Sequence, residues 1–114
     1  MDIQKYIENI EDIPLDSLSP FQSIKLKKLS NISFKRLYES IKADGVLSPF
    51  FVFKEKEKVN IIDGHQRYKV LRKIENENSI KINVKCIVLS VDSEKAKELI
   101  LQYSHHFPLL RSPN

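Results

Sequence analysis

Residues 61–68 read IIDGHQRY. Two β-branched apolar residues lead into Asp63-Gly64, and a histidine, a glutamine and an arginine follow at once. Beyond them Tyr68, Leu71 and Ile74 recur at helical spacing, with Val70 beside them. The stretch therefore reads as a strand end, a glycine turn and a helix start. The chain holds only 2 glycines, so placing one here marks a junction that the backbone needs.

Such a junction suits an anion. A helix N-terminus carries unpaired N–H groups and the positive end of the helix dipole. Gly64 would let a phosphate come close to the backbone. Arg67, expected as an exposed side chain one turn in, would fork onto phosphate oxygens, and His65 and Gln66 would add neutral donors. The same residues also fit a plain capped turn, with Asp63 as N-cap and Arg67 as a surface charge. Spacing alone does not separate the two readings.

Working outward, PFFVF (49–53) and VNII (59–62) look like strands, and the charged KEKEK between them makes an antiparallel hairpin with a solvated turn. Upstream, SFKRLYESIKADG places Phe34, Leu37, Tyr38 and Ile41 on one helical stripe, with Ser33 as its cap and Gly45 at its C-terminus. Downstream, SIKINVKCIVL alternates Ile80, Ile82, Val84, Cys86 and Val88 on one strand face. DSEKAKELILQYS then returns to helix, with Asp92 or Ser93 as cap and Ala96, Leu99, Ile100 and Tyr103 on one side. IEDIPLDSLSPFQ reads as a short strand and a turn, and the tail after Ser104 as irregular. The order is short strand, helix, hairpin, helix, strand, helix: an α+β domain with a mixed sheet.

At 114 residues, with 41% apolar and 30% charged side chains, the chain fits one soluble globular domain. Its single cysteine rules out an internal disulfide, and Cys86 falls on the apolar strand face, so it is expected in the core. No membrane span is expected, the N-terminal MDIQKYIENIEDI is too acidic for a signal peptide, and the expected location is cytoplasmic. A net charge of +4 permits anionic partners without demanding them, since lysine is also a default surface residue. His105 and His106 are adjacent, so their side chains diverge, and 3 histidines without a cysteine cluster make poor ligand arithmetic. No metal site is expected.

The stretch from SIKADGVLSPFFVF through VNIIDGHQRYKVL resembles the N-terminal domain of the ParB/sulfiredoxin superfamily. Ser40, Ile41, Gly45, Pro49, Val52, Asp63, Gly64 and Arg67 fall on that pattern, as do Pro20 and Gln22 upstream. The resemblance covers about residues 10–104, leaving 105–114 as a tail of a single domain spanning 1–114. It implies a small mixed sheet with three to four packed helices. It also implies that Gly64, His65, Gln66 and Arg67 form a phosphate-binding box, with Gln22 at its rim. The implied ligand is a nucleotide, CTP or ATP/ADP, with Mg²⁺ as an optional companion. The implied partners are DNA through a larger assembly and, left open, a second copy of the chain.

The departures narrow this. ParB proteins usually carry Gly-Glu-Arg-Arg where this chain has Gly64-His65-Gln66-Arg67, and QYSHHFPLLR stands in place of their later Glu-Asn-x-x-Arg segment. Neither CTP preference nor hydrolysis is therefore implied, and without a following helix-turn-helix no complete segregation clamp is expected. Sulfiredoxin chemistry needs a cysteine inside the box, where this chain has His65. The free-serine kinases resemble the box more closely, which makes Asp63 and His65 candidate catalytic residues for phosphoryl transfer to a hydroxyl. That reading needs a separate glutamate, with Glu8 or Glu11 as candidates. His105 and Arg111 read as solvated tail residues, with reach to the nucleotide from the C-terminal helix as their alternative. An interaction module without nucleotide is the remaining alternative.

Overall fold

Phe50, Phe51, Val52 and Phe53 are all buried, where a half-exposed strand would alternate. In the computed structural model, which describes residues 3–21, 29–46 and 48–103, they lie in a strand covered on both faces. Phe50 and Val52 share one core with Leu37, Ile41, Val70 and Leu71; Phe51 and Phe53 share another with Ala96, Leu99 and Ile100. Two helices therefore cover one face of the sheet and a third covers the other.

The elements are β1 (Ile7–Pro14), β2 (Leu18–Pro20), α1 (Asn31–Asp44), β3 (Phe50–Glu55), β4 (Lys58–Asp63), α2 (His65–Asn78), β5 (Asn83–Leu89) and α3 (Ser93–Tyr103). Short 3-10 turns precede β1 and β2. The strands stand in the order β1-β5-β3-β4-β2. β1 runs antiparallel to β5, and β3 antiparallel to β4, while β5 is parallel to β3 and β2 parallel to β4. This is the mixed α+β sheet expected, with three α-helices among the described residues.

The hairpin is as expected, with Phe53 opposite Asn60 and Glu55 opposite Lys58. Its two turn residues, Lys56 and Glu57, both have positive φ (55° and 62°), the conformation that matches strand twist in a two-residue turn. Gly45 closes α1 at φ 78°.

Three local readings need correction. Ser30, not Ser33, caps α1: its Oγ accepts the Ser33 N–H at 3.1 Å. The N-terminal segment is one long strand plus a second short one, because β2 pairs in parallel with β4 across a wide sequence gap. β5 begins at Asn83, and Ile80 is 47% exposed. The reason lies in Glu75, whose carbonyl accepts the Ile80 N–H at 3.2 Å and whose Oε2 accepts the Ile82 N–H at 2.8 Å. Residues 79–82 are thus held against the end of α2 and precede β5.

Among the described residues no helix is long and apolar enough to cross a membrane. Cys86 is buried as expected, between β1 and β3, and burial pushes its thiol up to about 12.

Candidate functional site

The chain turns from β4 into α2 through Gly64, whose φ of 123° and ψ of 12° few other residues tolerate. α2 starts at the next residue, and Tyr68 donates its N–H to the Gly64 carbonyl at 2.8 Å. A β-carbon on Gly64 would stand 2.4 Å from Phe50 Cδ2 and 3.0 Å from Arg67 Nη2. The glycine is thus required twice over, by dihedral angle and by the close approach of this protein's own ring.

Arg67 departs most from expectation. It is not an exposed fork: it is buried, 8% exposed. Its Nη1 donates to the Ser48 carbonyl at 2.6 Å, and Nη2 reaches the Pro49 carbonyl at 3.5 Å. The guanidinium carbon lies 4.6 Å from the centroid of the Phe50 ring, a cation–π stack. Burial lowers its pKa to about 10, while the nearby Asp63 and Cys86 pull the other way. Nε is buried without a hydrogen-bond partner. Arg67 therefore ties the segment leading into β3 to the first turn of α2. Helical spacing carried the signal: Arg67, Val70, Leu71 and Glu75 lie at i, i+3, i+4 and i+8, and all four are buried.

His65, the first residue of α2, accepts the Phe21 N–H at Nε2 across 3.2 Å. Accepting there puts the neutral ring's proton on Nδ1, which becomes its donor. Burial, with Lys69 adding repulsion, lowers the imidazole to about 4, so the ring is uncharged at neutral pH. Phe21 itself stacks edge-on against Phe53, ring centroids 5.0 Å apart. β2 and β4 are parallel, with Pro20 beside Ile61, so their C-terminal ends deliver Phe21 and His65 to the same place.

Asp63, the last residue of β4, is half-buried and opposite Phe51; it does not occupy the N-cap position, which Gly64 takes. Gln66 is half-buried beside it in α2. The N-cap of α2 is a glycine, with no side chain of its own to cap the helix, whereas Ser30 caps α1 and Asp92 Oδ1 accepts the Lys95 N–H at the start of α3. Asp63, Gly64, His65, Gln66 and Arg67 thus converge at one strand-to-helix crossing. Gln22, His105, His106 and Arg111 lie outside the described residues.

Glu8 and Glu11 do not join this site. Both are on β1, separated from β4 by β5 and β3, three strand spacings of about 4.8 Å each. Glu11 accepts a hydrogen bond from Lys54 at 2.8 Å, and this contact lowers its pKa.

The family model of the ParB N-terminal domain matches residues 2–104. Among solved structures, the chain is similar to C-terminally truncated ParB from Caulobacter crescentus complexed with CTP-γ-S (19% identity, TM-score 0.66, 85% of this chain and 54% of that one). It is similar to sulfiredoxin from Arabidopsis thaliana (16% identity, TM-score 0.58, 80% and 96%). It is also similar to a free serine kinase in complex with AMP (23% identity, TM-score 0.53, 75% and 32%). No curated protein sequence matches the chain. The chain spans about half the length of the Caulobacter ParB structure.

Proposed function

The chain belongs to the family of ParB N-terminal domains, and from that premise we propose that it binds a nucleoside di- or triphosphate, with the phosphates at the start of α2. The observation that carries this is an α2 that starts on a glycine N-cap, with no β-carbon over its first turn, and has a buried guanidinium in that turn. A helix start of this kind offers its dipole and its first N–H groups to an anion. Arg67 adds a positive charge fixed in place by two carbonyls and a ring. On this reading Arg67 acts through the shape of the box and its field, because its Nη1 and Nη2 already donate to the protein. His65 Nδ1 and Gln66 are the neutral side chains at the phosphates, and Gln22 is the proposed rim.

Support comes from the fold shared with a ParB solved with CTP-γ-S and a serine kinase solved with AMP. DNA, as in the longer ParB proteins, is a proposed partner only through a larger assembly.

The test is thermal shift across CTP, ATP, ADP and GTP, with and without Mg²⁺. A nucleotide at about 100 times its Kd adds about 2.7 kcal/mol, a readily visible shift. Absence of any shift at millimolar nucleotide would overturn the reading and leave an interaction module.

Phosphoryl transfer to a hydroxyl acceptor such as free serine is the second reading. The structure changes its cast: the His65 Nε2 lone pair is taken up by Phe21 N–H, which leaves Asp63 as its candidate base or metal-positioning group. Phosphate transfer from bound ATP or ADP to added serine, lost in Asp63→Asn with nucleotide binding retained, would support it.

A further inference from the structure

β1 is an outer strand of the sheet: β5 pairs with one side of it, and no described strand pairs with the other. Along such an edge every second residue points its N–H and C=O outward. The register shift between Ile7 and Asn9, and the missing N–H of Pro14, limit pairing at the two ends and leave residues 9–13 as a regular run. Ile10 lies opposite Ile87, on the α3 side of the sheet, yet it is 61% exposed. α3 packs on Phe51, Phe53 and Ile62, in β3 and β4, and stops short of it.

The edge is charged one way. Ile7–Pro14 carries Glu8, Glu11 and Asp12 without a lysine or arginine, in a chain of net charge +4. Glu11 is paired with Lys54, whereas Glu8 and Asp12 are exposed and in no ion pair among the described residues. Lys85 stands opposite Asp12, but on β5, inside the edge. At the end near the register shift, Glu8, Glu55 and Asp92 line a hollow of about 330 Å³ whose lysine, Lys54, is the partner of Glu11.

We propose that the open edge of β1 is a docking strand for an extended basic segment of a partner protein. Side chains of one strand face alternate, so the fitting segment has a β-branched residue beside Ile10. Lysine or arginine stands two positions away on either side, toward Asp12 and toward Glu8. Main-chain hydrogen bonds to residues 9–13 supply affinity, and the carboxylates select the sign. A second copy fits less well, because β1 against β1 sets two acidic strands side by side. β1 is at the opposite edge of the sheet from β2, so the proposal stands whether or not the Gly64 crossing binds phosphate.

The probe is a fluorescein-labelled, end-capped peptide, Thr-Lys-Thr-Val-Thr-Lys-Thr, read by fluorescence anisotropy against the native chain at physiological salt. Saturable binding of one peptide per chain is expected, with the counterpart carrying glutamate for lysine weaker by roughly tenfold or more. A fully N-methylated version keeps the charge but has no backbone donors, and should not bind. The double variant Glu8→Lys, Asp12→Lys should lose the basic peptide and gain its glutamate counterpart; if it fails to fold, Glu8→Gln with Asp12→Asn should still weaken the basic peptide. The proposal is overturned by no saturable binding, by equal affinity for the glutamate or N-methylated peptide, or by a folded double variant that binds as wild type does. Dimerisation of the chain that Ile10→Lys abolishes would also overturn it, by showing a second copy on this edge.

Discussion

Arg67 does its first work inside the protein. Removing its side chain leaves the Ser48 and Pro49 carbonyls without their donor and empties the space beside Phe50. Hydrogen bonds from a charged group are each worth about 1.5–3 kcal/mol, so Arg67→Ala should cost roughly 2–4 kcal/mol in urea unfolding, against the near-neutral cost of an exposed arginine. Arg67→Lys should recover only part of this, because an ammonium lacks the planar fork. Apo stability within 0.5 kcal/mol of wild type, a difference surface substitutions usually stay inside, would show that the clamp contributes nothing. Gly64→Ala should be at least as damaging, since it meets Phe50 at 2.4 Å in a backbone that disfavours alanine. His65 gives the domain a pH dependence with a definite sign. Its folded pKa of about 4 lies below the ordinary 6.5, so between those values the unfolded chain takes up a proton that the folded one refuses. Stability falls as pH drops through that window and is flat in this respect above it. His65→Gln should lose less stability than wild type between pH 6.5 and 4.5, as read by urea melts at both. Much of this site was legible in the residues: the glycine, the polar pair and the arginine stand at one crossing. The inward direction of Arg67 was legible too, in its spacing to Val70, Leu71 and Glu75. Its chemistry masked that, because a charge in an apolar stripe reads as surface until a carbonyl partner is known.

Among the elements, local patterns told most and distant pairings least. α1 and the β3–β4 hairpin follow from periodicity and from Gly45, whose positive φ ends the helix. β2 does not, because three residues that include a serine and a proline have no strand pattern, and only their pairing with Val59, Asn60 and Ile61 makes them one. The late start of β5 likewise depends on the Glu75 carboxylate reaching the Ile82 N–H. The hairpin itself carries correctable strain. Lys56 and Glu57 hold positive φ without the side chains that favour it, and Asn-Gly is the preferred pair for such a turn. The double substitution Lys56→Asn, Glu57→Gly should therefore stabilise by about 0.5–1 kcal/mol. Because the turn lies at the far end of β4 from Gly64, the nucleotide-induced shift should stay as in wild type. A loss of that shift would mean that the hairpin and the box are coupled. The α1 cap offers a matching control: Ser30→Ala removes the acceptor for the Ser33 N–H and should cost about 1 kcal/mol.

At the scale of the whole molecule, Cys86 reports on how the layers open. It lies in β5 between β1 and β3, beneath the face that α1 and α2 cover, with no exposed surface. Burial also pushes the thiol up to about 12, so the reactive thiolate is scarce until the layers part. Labelling of the native protein should thus be slow, and its rate should rise with urea along the slope of global unfolding. Rapid labelling independent of urea would contradict the covered face and show a local route to β5. The same rate then tests the functional reading without relying on a melting temperature. If labelling passes through the unfolded state, a ligand that binds only the folded domain lowers it by the full binding linkage. Nucleotide at about 100 times its Kd should slow Cys86 labelling about 100-fold. Arg67→Ala should label faster without ligand, because it is less stable, and should lose most of the slowing if the buried guanidinium shapes the phosphate box. Should Arg67→Ala keep the full 100-fold protection, Arg67 would be a structural clamp alone, and the anion would rest on the helix N-terminus and its neutral side chains.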